Sequence, residues 1–338
     1  MKSVKEMALT ALPVLCMAVL ILNTKTALSG ASAGLELCIR VVIPSLFPFL
    51  FLSVLVTGSL AGRNIPVLEP LGHLCGIPRG AEGLLAIGLI GGYPVGAQCV
   101  AQSYRNGILS ENEAKRMLGF CSNAGPSFLF GMLSGAFSNA QILWVLWGIH
   151  ILSAILTGVL LPGRSNRRVS SVTETSPSAS EALVQSLKTM SAICGWVILF
   201  KVLLAYFQRW FLWALPDETD ILLSGILELT NGCCRLQLAD AEGVRFLLAS
   251  GLLAFGGICV GFQTISVTKD LGTGMYFPGK ILQTAISLLL AYPAQRFLFG
   301  TGEQAQLHPT VIIACMIIVI AATKIFKKPS SILTRQGV

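Results

Sequence analysis

The chain has 338 residues, of which 54% are apolar and only 12% are charged, and its formal net charge is +8. Soluble domains carry about 25% charged residues, and the mean hydropathy here is +0.74, so the composition excludes a soluble protein. The basic residues stand in short segments beside apolar ones, as the positive-inside rule produces, which argues against nucleic-acid binding. The sequence therefore predicts an all-α polytopic membrane protein.

The N-terminal segments are apolar and long enough to span a bilayer. Met7 to Leu22 follows two lysines, and no A-x-A-like cleavage site comes after it, so we interpret it as a retained transmembrane helix. The next segment, 34–60, contains Pro44 and Pro48, each of which removes a backbone donor and bends a helix.

The third segment, 83–107, is built differently because it contains "GLIGGYPVGAQ". In hydrocarbon an unpaired backbone N–H or C=O costs several kcal/mol, so a broken helix must be buried in protein or line a watery cavity. We therefore predict a re-entrant hairpin, which enters the membrane and returns to the side it came from.

The first half ends with two helical segments. Ser110 and Glu113 in "SENEAKRML" form a predicted capping box, and the helix 110–137 that starts there is interrupted at "CSNAGP". A continuous span, 140–162, follows it. The Ser-, Thr- and Arg-rich linker 164–181 then separates the two halves of the chain.

The second half repeats this order. It has a long span at 182–212, a short interrupted segment at 221–239, and a span at 243–266 that is weakened by "FGGICVGFQT". Two further spans, 275–298 and 309–326, close the chain. The matching order predicts an internal duplication with a second re-entrant hairpin at 221–239.

Charge gives the predicted topology. With about 8 transmembrane helices and both hairpins returning, the linker and the C-terminal lysines lie in the cytoplasm with both termini, and "ALPDETD" lies outside. The two repeats then have inverted topology. The predicted parts are an N-terminal transmembrane helix (1–30), a first repeat (31–163), a cytoplasmic linker (164–181), a second repeat (182–300), and a C-terminal transmembrane helix with a basic tail (301–338).

Interrupted segments at matching places of two inverted halves are typical of a transporter's substrate site. Half-helix N-termini there favour an anion. The alternative is that Gly91, Gly92 and Gly96 only allow close helix packing. The candidate substrate-binding residues are the glycines and polar side chains of the breaks, namely Gly92, Tyr93, Gly96, Gln98, Ser122, Asn123, Gly125, Ser127, Thr230, Asn231, Gln263 and Thr264.

Charged side chains inside apolar segments are the other candidates. Arg40 and Lys188 align between the halves and are predicted charge partners of the anion, although Glu36 offers Arg40 a competing local ion pair. Lys201 is expected to extend to the membrane interface. Glu228 is the predicted ion-coupling residue, because intramembrane carboxylates are costly and usually functional. Proton transfer, sodium ligation and capping of a half-helix remain open for it.

Soluble-type catalysis has no candidate in the sequence. The ten cysteines include no C-x-x-C pair, the three histidines are scattered, and no G-x-S-x-G, phosphate loop or H-E-x-x-H is present. We therefore predict no enzymatic activity, no cofactor and no metal. The expected partners are a small-molecule anion and the lipid bilayer, with coupling to H⁺ or Na⁺ and assembly into a homo-oligomer left open.

Four stretches, "GLELCIRVVIPSLFPFLFLSVLV", "GGYPVGAQ", "GILSENEAKRMLGFCSNAGPSFLFG" and "GILELTNG", together resemble the YlbJ (stage V sporulation protein V) family of sporulation integral membrane proteins, in the nucleoside-recognition or Gate domain group. The resemblance covers 30–325. It implies two Gate repeats, a fold similar to the concentrative nucleoside transporters, and transport of dipicolinic acid across the outer forespore membrane. The alternatives are a nucleoside-type transporter of another substrate and a membrane scaffold for spore envelope assembly.

Overall fold

The computed structural model describes residues 4–60, 65–169 and 177–299. Within these ranges the chain is helical and contains no β-strand, apart from one isolated bridge between Arg79 and Arg168. The predicted all-helical fold is confirmed. The predicted C-terminal helix and tail (301–338) and the centre of the linker lie outside the described residues.

The helices follow the predicted segments closely. Those of the first half are α1 (Val4–Leu22), α2 (Thr24–Leu37), α3 (Ile43–Leu60), α4 (Glu69–Leu74), α5 (Glu82–Ile90), α6 (Val95–Arg105), α7 (Glu111–Met117), α8 (Pro126–Leu133) and α9 (Ala140–Leu160). Those of the second half are α10 (Ala179–Trp210), α11 (Asp217–Leu227), α12 (Leu229–Arg235), α13 (Glu242–Phe255), α14 (Gly257–Val267) and α15 (Tyr276–Phe299).

Several of these helices are long and apolar enough to cross a membrane. Among the described residues they occupy four stretches, Thr24–Val56, Ala140–Leu160, Ala179–Trp210 and Glu242–Val267. All four overlap predicted spans, so the chain is an integral membrane protein. The count of eight spans and the inverted topology stay predictions.

The N-terminal part differs from the prediction in one respect. The segment predicted as one helix over 1–30 forms α1 and α2, which meet at Asn23, and α2 continues through a π-helical turn, Cys38–Val42, into α3. Pro44 lies just beyond this turn, and because proline has no N–H, the usual helical bond there cannot form. α2 packs closely against α10: a Cβ added at Gly30 would lie 2.8 Å from the Cα of Val202, a close approach that is common between membrane helices.

Two helical hairpins, α5–α6 and α11–α12, occupy the places of the predicted re-entrant segments. The first turns at 91–94, where Gly92 has φ +85°. The second turns at Glu228, whose backbone is extended. In each hairpin the two arms pack through a pair of glycines: a Cβ at Gly96 would lie 2.7 Å from the Cα of Gly88, and one at Gly232 would lie 2.8 Å from the nitrogen of Gly225.

Two further helices are interrupted, as predicted. The chain is non-helical at 121–125, between α7 and α8. It turns again between α13 and α14, where the adjacent Gly256 and Gly257 have φ +83° and +86°. Left-handed backbone of this kind favours glycine because it has no Cβ. The helix breaks that the Gly- and Pro-containing stretches predict are therefore present in the structure.

Ion pairs connect the ends of several helices. Arg105 bonds to Asp270 at 2.7 Å, and Arg167 of the linker bonds to Glu113 at 2.8 Å. Glu113 also forms the predicted capping box with Ser110. These contacts join the first hairpin to α14 and tie the beginning of the linker to α7.

An aromatic cluster joins α10 to α14. The ring centroids of Trp196 and Phe262 are 4.7 Å apart, and Phe200 lies beside both. The indole N–H of Trp196 also donates to the hydroxyl of Ser266, at 2.8 Å. These contacts hold α14 against α10.

Candidate functional site

The break of the first hairpin contacts the breaks of two other helices. A Cβ added at Gly125, at the start of α8, would lie 3.1 Å from the Cα of Gly92. The hydroxyl of Tyr93 donates to the carbonyl of Leu253 in α13, at 2.9 Å. The first hairpin therefore reaches both the helix break of its own half and that of the second half.

The break of the second hairpin lies against the same α13–α14 break. A Cβ added at Gly257 would lie 3.1 Å from both the carbonyl oxygen of Gly225 and the backbone nitrogen of Leu229. These four interruptions thus meet in one region, and the contacts at Gly125 and Gly257 bring backbone so close that an added Cβ would be crowded.

A small cavity lies between these breaks. Its volume is about 40 Å³, enough for about three water molecules at 10–15 Å³ each. Its walls come from the turns of both hairpins, the break between α7 and α8, the start of α3 and the middle parts of α10 and α14. The lining residues are Val42, Ser45, Leu46, Tyr93, Ala124, Gly125, Phe128, Ile193, Val197, Glu228, Leu229, Thr230, Val260 and Gln263.

Some of the predicted substrate-binding residues line this cavity, and others do not. Those that do are Tyr93, Gly125, Thr230 and Gln263, together with the predicted ion-coupling residue Glu228. Those absent from its walls are Gly92, Gly96, Gln98, Ser122, Asn123, Ser127, Asn231 and Thr264.

The residues away from the cavity have identifiable surroundings. Gly96 packs against Gly88, and an added Cβ would overlap the carbonyl of Cys121, so close packing, the alternative considered above, accounts for this glycine. Ser127 is exposed and lies two residues after Gly125, which lines the cavity. Gln98 and Ser122 are buried, and Gln98 Oε1 and Ser122 Oγ have no hydrogen-bond partner among the described residues.

Glu228 is buried, with 2% of its surface exposed, and caps α12. Its carboxylate oxygens accept from the backbone N–H groups of Thr230, at 3.0 Å, and Asn231, at 2.7 Å. Since the first N–H groups of a helix have no partner inside it, an acidic N-cap satisfies them and is favoured by the helix dipole. The capping role that the sequence left open for Glu228 is therefore present, and it places the carboxylate on the cavity wall.

Lys201 does not extend to an interface as expected. Its ammonium donates to Oδ1 of Asn231, at 2.6 Å, and Asn231 is the residue whose N–H binds Glu228. The expectation was wrong because α10 runs beside the second hairpin, so that a lysine in its middle meets a polar partner inside the protein.

The two predicted charge partners of an anion lie elsewhere. Arg40 forms the competing ion pair with Glu36, at 3.0 Å, and 76% of its side chain is exposed. Lys188 is exposed on α10. The structure brings neither residue to the cavity, because the i,i+4 spacing satisfies Arg40 locally and Lys188 lies nearer the N-terminus of α10 than the wall residues of that helix do.

Lys280 is the charged residue that sequence reasoning missed. It is fully buried on α15 and donates to the hydroxyl of Tyr93, at 3.1 Å, and to Oε1 of Gln283, at 2.7 Å. A longer contact of 3.4 Å reaches Oδ1 of Asn123, which also accepts from Gln283. The ammonium lies 4.9 Å from the centre of the Tyr93 ring, within the range of a cation–π contact. The only sequence signal was one lysine inside the apolar segment 275–298.

The chain is similar to a curated protein. The chain is 27% identical over 313 residues to the sporulation integral membrane protein YlbJ of Bacillus subtilis (strain 168), and the match covers 79% of this chain and 77% of that protein. No family model matches the chain, and no solved structure matches it. The resemblance inferred from the four motifs is confirmed, whereas the assignment to the Gate domain group stays a prediction.

Proposed function

We propose that this chain, which is similar to the sporulation integral membrane protein YlbJ, is a member of that family and a secondary membrane transporter of a small aromatic anion, dipicolinic acid, in the outer forespore membrane. The role in sporulation comes from the name of the relative. The transport activity is supported by the geometry of this chain, and both termini are proposed to lie in the cytoplasm.

The observation that carries the proposal is the meeting of four helix breaks around a cavity with a buried carboxylate. Irregular backbone at membrane depth is tolerated where it lines a cavity, and discontinuous helices meeting between two repeats form the substrate sites of many transporters. Glu228 on the wall is a costly residue for a purely structural protein. A scaffold for envelope assembly needs none of these features.

The wall suits a flat aromatic anion. Tyr93 and Phe128 offer ring surfaces, and Gly125 lines the cavity without a side chain. Gly125 is also the N-cap of α8 and provides no side-chain cap. Since Pro126 has no N–H, the N–H groups of Ser127 and Phe128 are the first in that helix that can bind an anion. Thr230 and Gln263 add polar groups to the wall.

The cavity is small for the proposed substrate. It has room for about three water molecules, which is less than dipicolinate needs, so the walls must separate for the substrate to bind. Since the walls come from hairpins and broken helices of both halves, movement of one half against the other opens the cavity. We propose that alternating exposure to the two sides of the membrane proceeds in this way.

Uptake into proteoliposomes tests the proposed function directly. Purified protein is reconstituted, and accumulation of radiolabelled dipicolinate and of a radiolabelled nucleoside is measured under an imposed proton or sodium gradient. We expect dipicolinate to accumulate well above protein-free liposomes. Nucleoside uptake alone would support the alternative substrate, and uptake of neither would contradict transport and favour the scaffold.

Cysteine labelling tests the proposed inverted topology. We expect a cysteine replacing Glu218, in a cysteine-free background, to react with an impermeant maleimide added outside the cell. Asp217 and Glu218 begin the second hairpin, which the proposed topology puts on the outer side. A cysteine replacing Lys25 provides a comparison near the N-terminus. Reaction of position 218 only from the cytoplasm would contradict the inverted arrangement.

A further inference from the structure

Charged side chains of both signs lie near the cavity, and they differ in whether an opposite charge lies close to them. Glu228 and Lys201 share Asn231: the carboxylate accepts its N–H at 2.7 Å, and the ammonium donates to its side-chain oxygen at 2.6 Å. Opposite charges that bind the same residue partly offset each other. Lys280 is the other cation near the cavity, and it is fully buried.

The partners of Lys280 within the described residues are all neutral. Its ammonium reaches the Tyr93 hydroxyl and the side-chain amide oxygens of Gln283 and Asn123. The other buried carboxylates of the described ranges are occupied elsewhere: Glu82 accepts from the N–H of Gly80, Glu113 from Arg167, and Asp220 from Arg235. A buried charge without a counter-charge is destabilising, and an anion bound in the cavity would supply one.

Tyr93 connects this charge to the cavity. Its side chain lines the cavity, while its hydroxyl accepts from Lys280 and the ammonium lies 4.9 Å from its ring centre. Lys280 is thus separated from the cavity by a single side chain and has no exposed surface. Because it is fully buried, its charge is screened less by solvent and salt than that of a surface lysine.

We propose that Lys280 is the counter-charge of the anionic ligand and selects anions over neutral molecules through the Tyr93 wall. This inference rests on the proposed function and makes it more specific, because it assigns the preference for a carboxylate-bearing ring to one residue. Lys280 acts as a positioning residue: its three hydrogen bonds hold Tyr93, Asn123 and Gln283, and its charge complements the ligand that the cavity receives when it opens.

The test compares binding of an anion with binding of a neutral molecule of the same shape. Affinities of purified protein for dipicolinate and for pyridine-2,6-dicarboxamide are measured in wild type, Lys280→Gln and Lys280→Met. We expect the preference of wild type for the anion to fall at least about tenfold in the Gln variant, which corresponds to about 1.4 kcal/mol. Lys25→Gln, which removes an exposed lysine of α2, should leave the preference unchanged.

A merely structural role for Lys280 changes both affinities together and leaves their ratio intact. An unchanged ratio in a monodisperse Gln or Met variant would therefore overturn the inference while the proposed function stands. If wild type binds dipicolinate no better than the neutral diamide, the inference fails. If it binds and transports neither, the proposed function fails with it.

A measurement on wild type alone keeps the inference falsifiable if both variants fold poorly. The charge of a buried lysine is hardly screened by salt, whereas that of an exposed residue is. We expect the preference for dipicolinate over the diamide to change less than about twofold between low salt and about 0.5 M NaCl. A steep loss of preference would assign the selectivity to exposed cations such as Arg40 and would overturn the role of Lys280.

Discussion

Replacing Glu228 with glutamine is expected to abolish concentrative uptake of dipicolinate. The amide keeps one acceptor for the N–H groups of Thr230 and Asn231 but cannot ionise, so a step that needs release and uptake of a proton fails. We expect accumulation in proteoliposomes to fall to the level of protein-free liposomes. Exchange of labelled for unlabelled substrate, which needs no net proton movement, should persist.

The structural cost of this substitution must be separated from its effect on coupling. Loss of a helix N-cap costs about 1 kcal/mol, so the variant should remain folded and monodisperse. Glu82→Gln is the matched control, because Glu82 is also a buried carboxylate that accepts a backbone N–H, from Gly80, but does not line the cavity. Wild-type accumulation with an unchanged pH profile in Glu228→Gln would remove Glu228 from the mechanism.

In a spore-forming host, the same change should yield spores that contain little dipicolinic acid and have low heat resistance. This readout links the proposed transport to the sporulation role suggested by the relative. Normal spores from a strain whose only copy carries Glu228→Gln would contradict the coupling role in the cell.

The second large effect is expected from adding a single methyl group at Gly96. In Gly96→Ala the new Cβ would overlap the carbonyl of Cys121 and lie 2.7 Å from the Cα of Gly88. Both obstacles are backbone atoms, which cannot rotate away as a side chain can. Overpacking of this kind costs about 1–3 kcal/mol, occasionally more, and we expect a strongly reduced yield of monodisperse protein and a clearly lower melting temperature in detergent.

Gly148→Ala is the control for this experiment. A Cβ at Gly148 has no heavy atom within 4 Å, and alanine favours helix over glycine by about 1 kcal/mol, so this variant should be at least as stable as wild type. If Gly96→Ala were equally stable, the close crossing of α5 and α6 would not contribute to folding, and Gly96 would return to the list of candidate ligand contacts.

The helix breaks were predictable from the sequence because their causes are local. Gly92, Gly256 and Gly257 adopt positive φ, which disfavours other residues, and the capping box of Ser110 needs only the residues next to it. The same is true of the ion pair of Arg40 with Glu36, since the spacing alone brings these side chains together. Local chemistry thus sets where helices begin, end and turn.

The partners of buried side chains depend on how helices rotate against one another, which no local pattern gives. Lys280 stands in a mainly apolar segment, and its meeting with Tyr93 follows from the packing of α15 beside the first hairpin. Lys201 was misassigned for the same reason, because its partner Asn231 lies on another helix. The breaks of the candidate site could therefore be predicted, whereas the set of charges around it could not.

The aromatic cluster of α10 and α14 gives this protein an optical reporter of its own. Trp196 stacks at 4.7 Å on Phe262 and hydrogen-bonds to Ser266, both on the helix that follows the Gly256–Gly257 turn. With the other four tryptophans replaced by phenylalanine, the fluorescence of Trp196 depends on whether α14 stays against α10. Its emission maximum therefore offers a way to follow separation of these two helices in solution, without any attached dye and with unlabelled substrate.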